Sequence, residues 1–140
     1  MNPISMDSNI VHSTKCIERM ENPPSSHKNL IVYQKAKTLT IDVINYFANA
    51  KLDRVSEILI KQLIRAVSSI GANIAEGYGR HYSKSYHQFL GIARGSSFEA
   101  DYWLEIILET NKFDEQIIKK FKDTNEELIK ILTTLMKNTS

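Results

Sequence analysis

The sequence predicts an all-α protein built as an antiparallel up-and-down four-helix bundle with a flexible N-terminal arm. Three observations carry this. Apolar residues recur at 3.6-residue spacing in four successive stretches. The chain has only five Gly and three Pro, two of the prolines adjacent at Pro23 and Pro24, so little interrupts long helices. The stretches are separated by short polar connections, which make consecutive helices antiparallel neighbours.

Residues 1–28 form the arm, and 29–140 the bundle domain. The arm shows no sustained periodicity, and Glu21-Asn-Pro-Pro-Ser-Ser-His27 reads as a linker. A short helix around Thr14–Met20 is the one ordered feature it offers. The first bundle helix is expected from about Asn29 to Asn49, with Val32, Tyr33, Ala36, Leu39, Thr40, Val43 and Phe47 on one stripe. Lys51-Leu-Asp-Arg54 breaks that pattern, and Asp53 is suited to cap the next helix. There Ser56, Leu59, Ile60, Leu63, Ala66, Val67, Ile70 and Ile74 share a face. Gly77-Tyr-Gly79 is expected to end the helix in a left-handed C-cap.

Ser83 is the expected cap of the third helix, whose core stripe is Tyr86, Phe89, Ala93, Ser96, Ala100, Trp103, Leu104 and Ile107. Asn111-Lys-Phe-Asp114 supplies the next turn, with Asp114 as cap. Ile117, Phe121, Thr124, Leu128, Ile131, Leu132 and Leu135 line the fourth helix.

Composition narrows the function. A single cysteine, Cys16, excludes a disulfide framework within the chain. No uninterrupted apolar run approaches the roughly 20 residues that span a bilayer, and the N-terminus lacks a secretory signal. These features predict a cytoplasmic protein without a membrane partner. Net charge is only +2, but Lys28–Arg94 carries ten Lys/Arg against four Asp/Glu, and Gly95–Ser140 six against nine. A basic half points to an acidic partner such as RNA or DNA; an unevenly charged, solvated helix surface has the same signature.

Two patterns exceed what one bundle requires. Gly91, Gly95, Phe98 and Tyr102 share the back of the third helix. Two mid-helix glycines cost about 1 kcal/mol each relative to Ala, so they are expected to let another subunit approach, with Phe98 and Tyr102 supplying apolar area. The outward face of the second helix starts with Lys61 and Arg65 and turns small at Ser68, Ala72 and Ala75. A wider bundle that buries both faces internally is the alternative.

Around the second turn, Arg80, His81, Tyr82, Lys84 and His87 cluster, and Lys61 and Arg65 extend the basic character along the second helix. Lys61, Arg65, Arg80, His81 and Lys84 are the candidate nucleic-acid contacts: cations neutralise phosphates, while Tyr78, His81 and Tyr82 offer rings for stacking. A polar bundle end is the plain alternative. Asn73, Glu76, Arg94 and Glu99 form a structural polar set in which a buried Glu76–Arg94 pair would fix the register of two helices; a ligand site is the alternative.

Nothing predicts an enzyme. Di-metal bundles need inward Glu residues and Glu-x-x-His motifs, and none occurs. His12, His27, His81 and His87 lack metal-site spacing, and Gly77-Tyr-Gly-Arg80 lacks the lysine and spacing of a phosphate loop. No cofactor or metal is expected.

Ser69-Ile-Gly-Ala-Asn-Ile-Ala-Glu-Gly-Tyr-Gly-Arg80, followed by Phe89-Leu-Gly-Ile-Ala-Arg-Gly-Ser-Ser-Phe-Glu99, resembles the bacterial four-helix-bundle family associated with 23S ribosomal RNA intervening sequences. Leu30-Ile-Val-Tyr-Gln-Lys-Ala36 is similar to the start of that family's first helix, and the likeness covers roughly Asn29 to Met136. It implies a homo-oligomer, with a pentamer the expected form. Accessory proteins of diversity-generating retroelements resemble this architecture too. That likeness implies nucleic acid and a reverse transcriptase as partners, and a ribonucleoprotein accessory role. A scaffold binding only protein is the competing function. The arm departs from short family members, and leaves room for an added partner site or for translation from Met6 or Met20.

Overall fold

The computed structural model describes residues 26–80 and 83–139. A 3-10 turn at His27–Asn29 leads into α1 (Ile31–Ala48), α2 (Arg54–Gly79), α3 (Ser83–Glu109) and α4 (Glu115–Thr139). Among the described residues there is no strand. α2 packs on α3, α3 on α4, and α1 lies against both α2 and α4. This closes an antiparallel four-helix bundle, the architecture read from the sequence. The predicted arm helix and Cys16 lie outside the described residues.

The core broadly follows the predicted stripes, but in α3 Leu90 and Ser97 are buried, whereas the expected Phe89, Ser96 and Trp103 are half-exposed. Val32, Ala36, Leu39, Val43 and Phe47 from α1 meet Ile60, Leu63, Val67, Ile70 and Ile74 from α2 and Leu90, Ala93, Ala100, Leu104 and Ile107 from α3. α4 contributes Ile118, Phe121, Leu128, Leu132 and Leu135. Its phase differs from the expected one at the start: Ile118 and Asn125 are buried, whereas Ile117 and Thr124 are half-exposed. Asn125 is tolerated because it is fully paired. Ser97 donates from Oγ to Asn125 Oδ1 at 2.6 Å, and Asn125 Nδ2 donates to the Ser97 carbonyl at 2.8 Å. A buried polar pair satisfied on both sides fixes how α3 and α4 align.

Both aspartate caps form as expected. Asp53 accepts from the Ser56 N–H at 2.7 Å, and Asp114 accepts from Gln116 and Ile117 N–H groups. Asn111 takes the left-handed conformation, φ 56°, that the α3–α4 turn needs. Lys112 reaches Asp53 across the bundle end at 2.9 Å. Together with the Ser56 N–H, it holds the Asp53 carboxyl down at about 2.

The second turn is a correction. α2 runs through both Gly77 and Gly79 in right-handed geometry, and Arg80 follows at φ −81°. Gly77 serves packing: a Cβ there would lie 2.5 Å from Phe89 Cβ. α2 and α3 therefore approach closely where the motif placed a C-cap. Ser83 is the first residue of α3.

One described helix, α2, is long and apolar enough by length and composition to cross a membrane, although no unbroken apolar run marks it. Its apolar stripe faces the core, while Lys61 and Arg65 are exposed.

Candidate nucleic-acid interface

Antiparallel topology brings four helix ends together: the start of α1, the end of α2, the start of α3 and the end of α4. The halves of the helices meeting at this end, residues 26–38, 67–80, 83–95 and 128–139, carry eight Lys/Arg against one Asp/Glu. The other halves, residues 39–66 and 96–127, carry eight against twelve. The bundle is thus polarised along its axis. The charge bias read along the sequence is, in three dimensions, a basic end and an acidic end.

At the basic end, Arg80 places its guanidinium 5.0 Å from the centre of the Phe89 ring and donates from Nη2 to Glu76 Oε1 at 3.0 Å. Both partners of that ion pair are about half exposed, so Arg80 keeps donors free for a ligand. Lys84, on the first turn of α3, is exposed, as is Lys28. Lys28 is set by two hydrogen bonds to its backbone: its N–H donates to Ser26 Oγ at 3.2 Å, and its carbonyl accepts from Gln34 Nε2 at 3.0 Å. His87 Nδ1 lies 3.0 Å from Thr139 Oγ1, tying α3 to the end of α4. Beneath these groups Tyr86 is buried, and among the described residues its hydroxyl has no hydrogen-bond partner. Burial pushes its acidity well below that of a free phenol, with Tyr78 adding to the shift, and burial also raises the Tyr78 pKa.

The predicted contacts divide. Arg80 and Lys84 lie together at the basic end. Lys61 and Arg65 are exposed on α2 but sit in the other half of the bundle; Arg65 precedes Arg80 by four turns, about 22 Å along the helix. Exposed Ser68 and Ala72, with Ala75, intervene on that face and line a shallow groove against Tyr33, Lys37 and Ile41 of α1. His81 and Tyr82 lie outside the described residues. Lys28, which the sequence places in the arm, joins Arg80 and Lys84 at the basic end.

The polar set is rearranged. The expected buried Glu76–Arg94 pair does not form: Glu76 is exposed and bonded to Arg80, one turn along its own helix. Arg94 instead places its guanidinium 5.3 Å from the centre of the Phe98 ring. Asn73 donates to Ser69, to its carbonyl at 2.8 Å and its Oγ at 2.9 Å. Ser69 Oγ in turn lies 2.9 Å from Ser96 Oγ across the α2–α3 seam. That chain of small polar groups takes the register-fixing place expected of the ion pair, and Glu99 stays exposed.

The back of α3 also divides. A Cβ at Gly91 would meet Met136 Cε at 3.3 Å, so this glycine accommodates α4 of its own bundle. At Gly95 no described residue lies within 4 Å of an added Cβ. Around it Phe98 is 51%, Tyr102 56% and Ile92 51% exposed. Three large apolar side chains on one open helix face form a patch of the kind that marks contact sites. Among the described residues no group of three or more His, Cys, Asp or Glu is arranged to hold a metal ion.

Fold and surface together define an axially polarised four-helix bundle with an open apolar patch on α3. Residues 28–134 match the family model described as 23S rRNA-intervening sequence protein, and the chain belongs to that family. A crystal structure of a protein of unknown function from the S23 ribosomal protein family of Bacteroides thetaiotaomicron shares the fold. It has a TM-score of 0.68 and 24% sequence identity, with 76% of this chain and 99% of that one covered. No curated protein matches the chain.

Proposed function

We propose that the protein is a non-catalytic, self-associating nucleic-acid-binding bundle that meets phosphates at its basic end. The observation that carries this reading is the concentration of eight Lys/Arg against one Asp/Glu in the halves of the helices that meet there. Such a field attracts polyanions, and phosphates are its natural counterions. The family description, tied to an intervening sequence of 23S rRNA, makes RNA the first nucleic acid to test.

Self-association is the second component. Ile92, Phe98 and Tyr102 supply apolar area on α3, and Gly95 leaves room for close approach. An oligomer repeats the basic end in every subunit, so modest single contacts gain by avidity. Five subunits is the number the family likeness implies.

The test is a fluorescence-anisotropy titration of RNA against salt. Three phosphate contacts per subunit, from Lys28, Arg80 and Lys84, give a slope of log K against log salt near −2 for a single strand, a loss of roughly 20-fold between 50 and 200 mM. Binding should depend weakly on sequence, because phosphate contacts position a strand without reading its bases. A wild-type protein that binds neither RNA nor DNA at low salt overturns the proposal in favour of a protein-only scaffold.

A further inference from the structure

The basic end carries aromatic rings as well as charge. His27, on the 3-10 turn, meets Tyr33 of α1 edge to face, with ring centres 4.8 Å apart. It also faces Tyr78 of α2 at 6.3 Å, the planes tilted by 58°. Tyr78 meets Tyr86 edge to face at 6.1 Å. His27, Tyr33 and Tyr78 are half-exposed, whereas Tyr86 behind them is buried. The turn carrying His27 is held by the Ser26 and Gln34 hydrogen bonds, so the ring is presented from a fixed backbone.

The opposite end carries rings too: Phe47 and Phe121 are buried, and Tyr46 and Phe113 are half-exposed. Tyr46 meets Phe47 and Phe121 edge to face, its hydroxyl accepts the Asp114 N–H at 3.1 Å, and that half of the bundle carries twelve Asp/Glu against eight Lys/Arg. At the basic end the half-open rings sit in the opposite field. They are flanked by Lys28 and Lys84, for neither of which an acidic partner is found among the described residues. Open rings beside unpaired cations are the combination that holds single-stranded nucleic acid: bases stack on the rings and the backbone follows the charge.

We infer that this end is selective for single-stranded nucleic acid, an unpaired base stacking on the His27–Tyr78 pair while Lys28, Arg80 and Lys84 meet neighbouring phosphates. The inference rests on the phosphate-binding reading and adds the ligand's form to it. A duplex keeps its base faces within its own stack and is left with the phosphate contacts alone, whereas a strand gains both.

The experiment compares three labelled RNA probes at one low salt concentration: a mixed-sequence strand, its perfect duplex, and an abasic strand of the same length. The wild-type protein should bind the strand about tenfold more tightly than the abasic strand, the difference being the stacked base. It should also prefer the strand to the duplex. A His27→Leu/Tyr78→Leu protein, checked for helicity, should bind strand and abasic strand alike. Equal wild-type affinity for strand and abasic strand overturns the stacking inference and leaves the phosphate-binding reading standing. No binding to any probe overturns both. The abasic comparison is made on the wild-type protein, so it decides the matter even if the double variant fails to fold.

Discussion

Gly77→Ala puts the close approach of α2 and α3 to a quantitative test. The added Cβ would lie 2.5 Å from Phe89 Cβ, 3.3 Å from Phe89 Cγ and 3.4 Å from Tyr86 Cδ1. Ordinary contact begins at about 3.4 Å, so the first of these must open by roughly 1 Å. Both atoms are Cβ atoms, fixed by their backbones, and no rotamer change relieves them. The helices themselves must separate where Tyr86 is buried. Overpacking of this kind costs about 1–3 kcal/mol, and the better helix propensity of Ala returns at most about 1 kcal/mol. The net expectation is a destabilisation of about 1–2 kcal/mol, or a Tm lower by on the order of 5 °C. Urea unfolding followed by circular dichroism, at one fixed protein concentration, measures it. Gly79→Ala is the control, since no described residue lies within 4 Å of a Cβ added there and its φ is not positive. It should be neutral or slightly stabilising. A Gly77→Ala protein as stable as wild type, or a clearly destabilised Gly79→Ala protein, would refute the packing account and restore a left-handed cap.

Asn125→Ala should cost about 1–3 kcal/mol, because Ser97 Oγ and the Ser97 carbonyl lose their buried partner; Ser97→Ala/Asn125→Leu should recover part of that loss in the same denaturation assay. Asp53 contributes stability as its carboxylate. Its pKa is depressed to about 2 from an unfolded value near 3.9, so the contribution is complete above the unfolded pKa and is lost as pH falls through about 2. The stability difference between wild type and Asp53→Asn should therefore shrink over that acid window and stay constant near neutral pH. Phe98→Glu or Gly95→Leu should lower the mass seen by light scattering while helicity is retained; a wild type that is monomeric at high micromolar concentration contradicts self-association.

The fold was legible because each helix announces itself within its own segment. Asp53 and Asp114 sit just before apolar-periodic runs, and both cap as those positions require. The misreadings arose where a partner from another helix decides. Glycines at a helix end serve a left-handed cap or a close approach equally well in one dimension, and only Phe89 on α3 reveals which applies to Gly77. At the start of α4 adjacent Ile117 and Ile118 leave the phase open to a sequence reading, and the expected stripe ran through Ile117 and Thr124; Asn125 is buried because Ser97, 28 residues earlier, satisfies it. Glu76 and Arg94 were paired by charge and approximate height, yet Arg80 lies one helical turn from Glu76 and claims it. The basic bias was visible along the chain, but it became an end only once antiparallel pairing joined the start of α1 to the end of α2 and the start of α3. For the same reason Lys61 and Arg65, close to Arg80 by composition, belong to a different half of the bundle.

That separation supplies the most direct test of the central claim. Two folded variants should be compared for RNA affinity by anisotropy at low salt. One carries Lys28→Glu, Arg80→Gln and Lys84→Glu at the basic end; the other carries Lys61→Glu and Arg65→Glu in the far half. The account predicts that the first loses most of its binding and most of its salt dependence, because it removes the charges that meet phosphate, while the second stays close to wild type. Loss confined to the second variant, with the first binding normally, would contradict it and place the interface on the middle of α2.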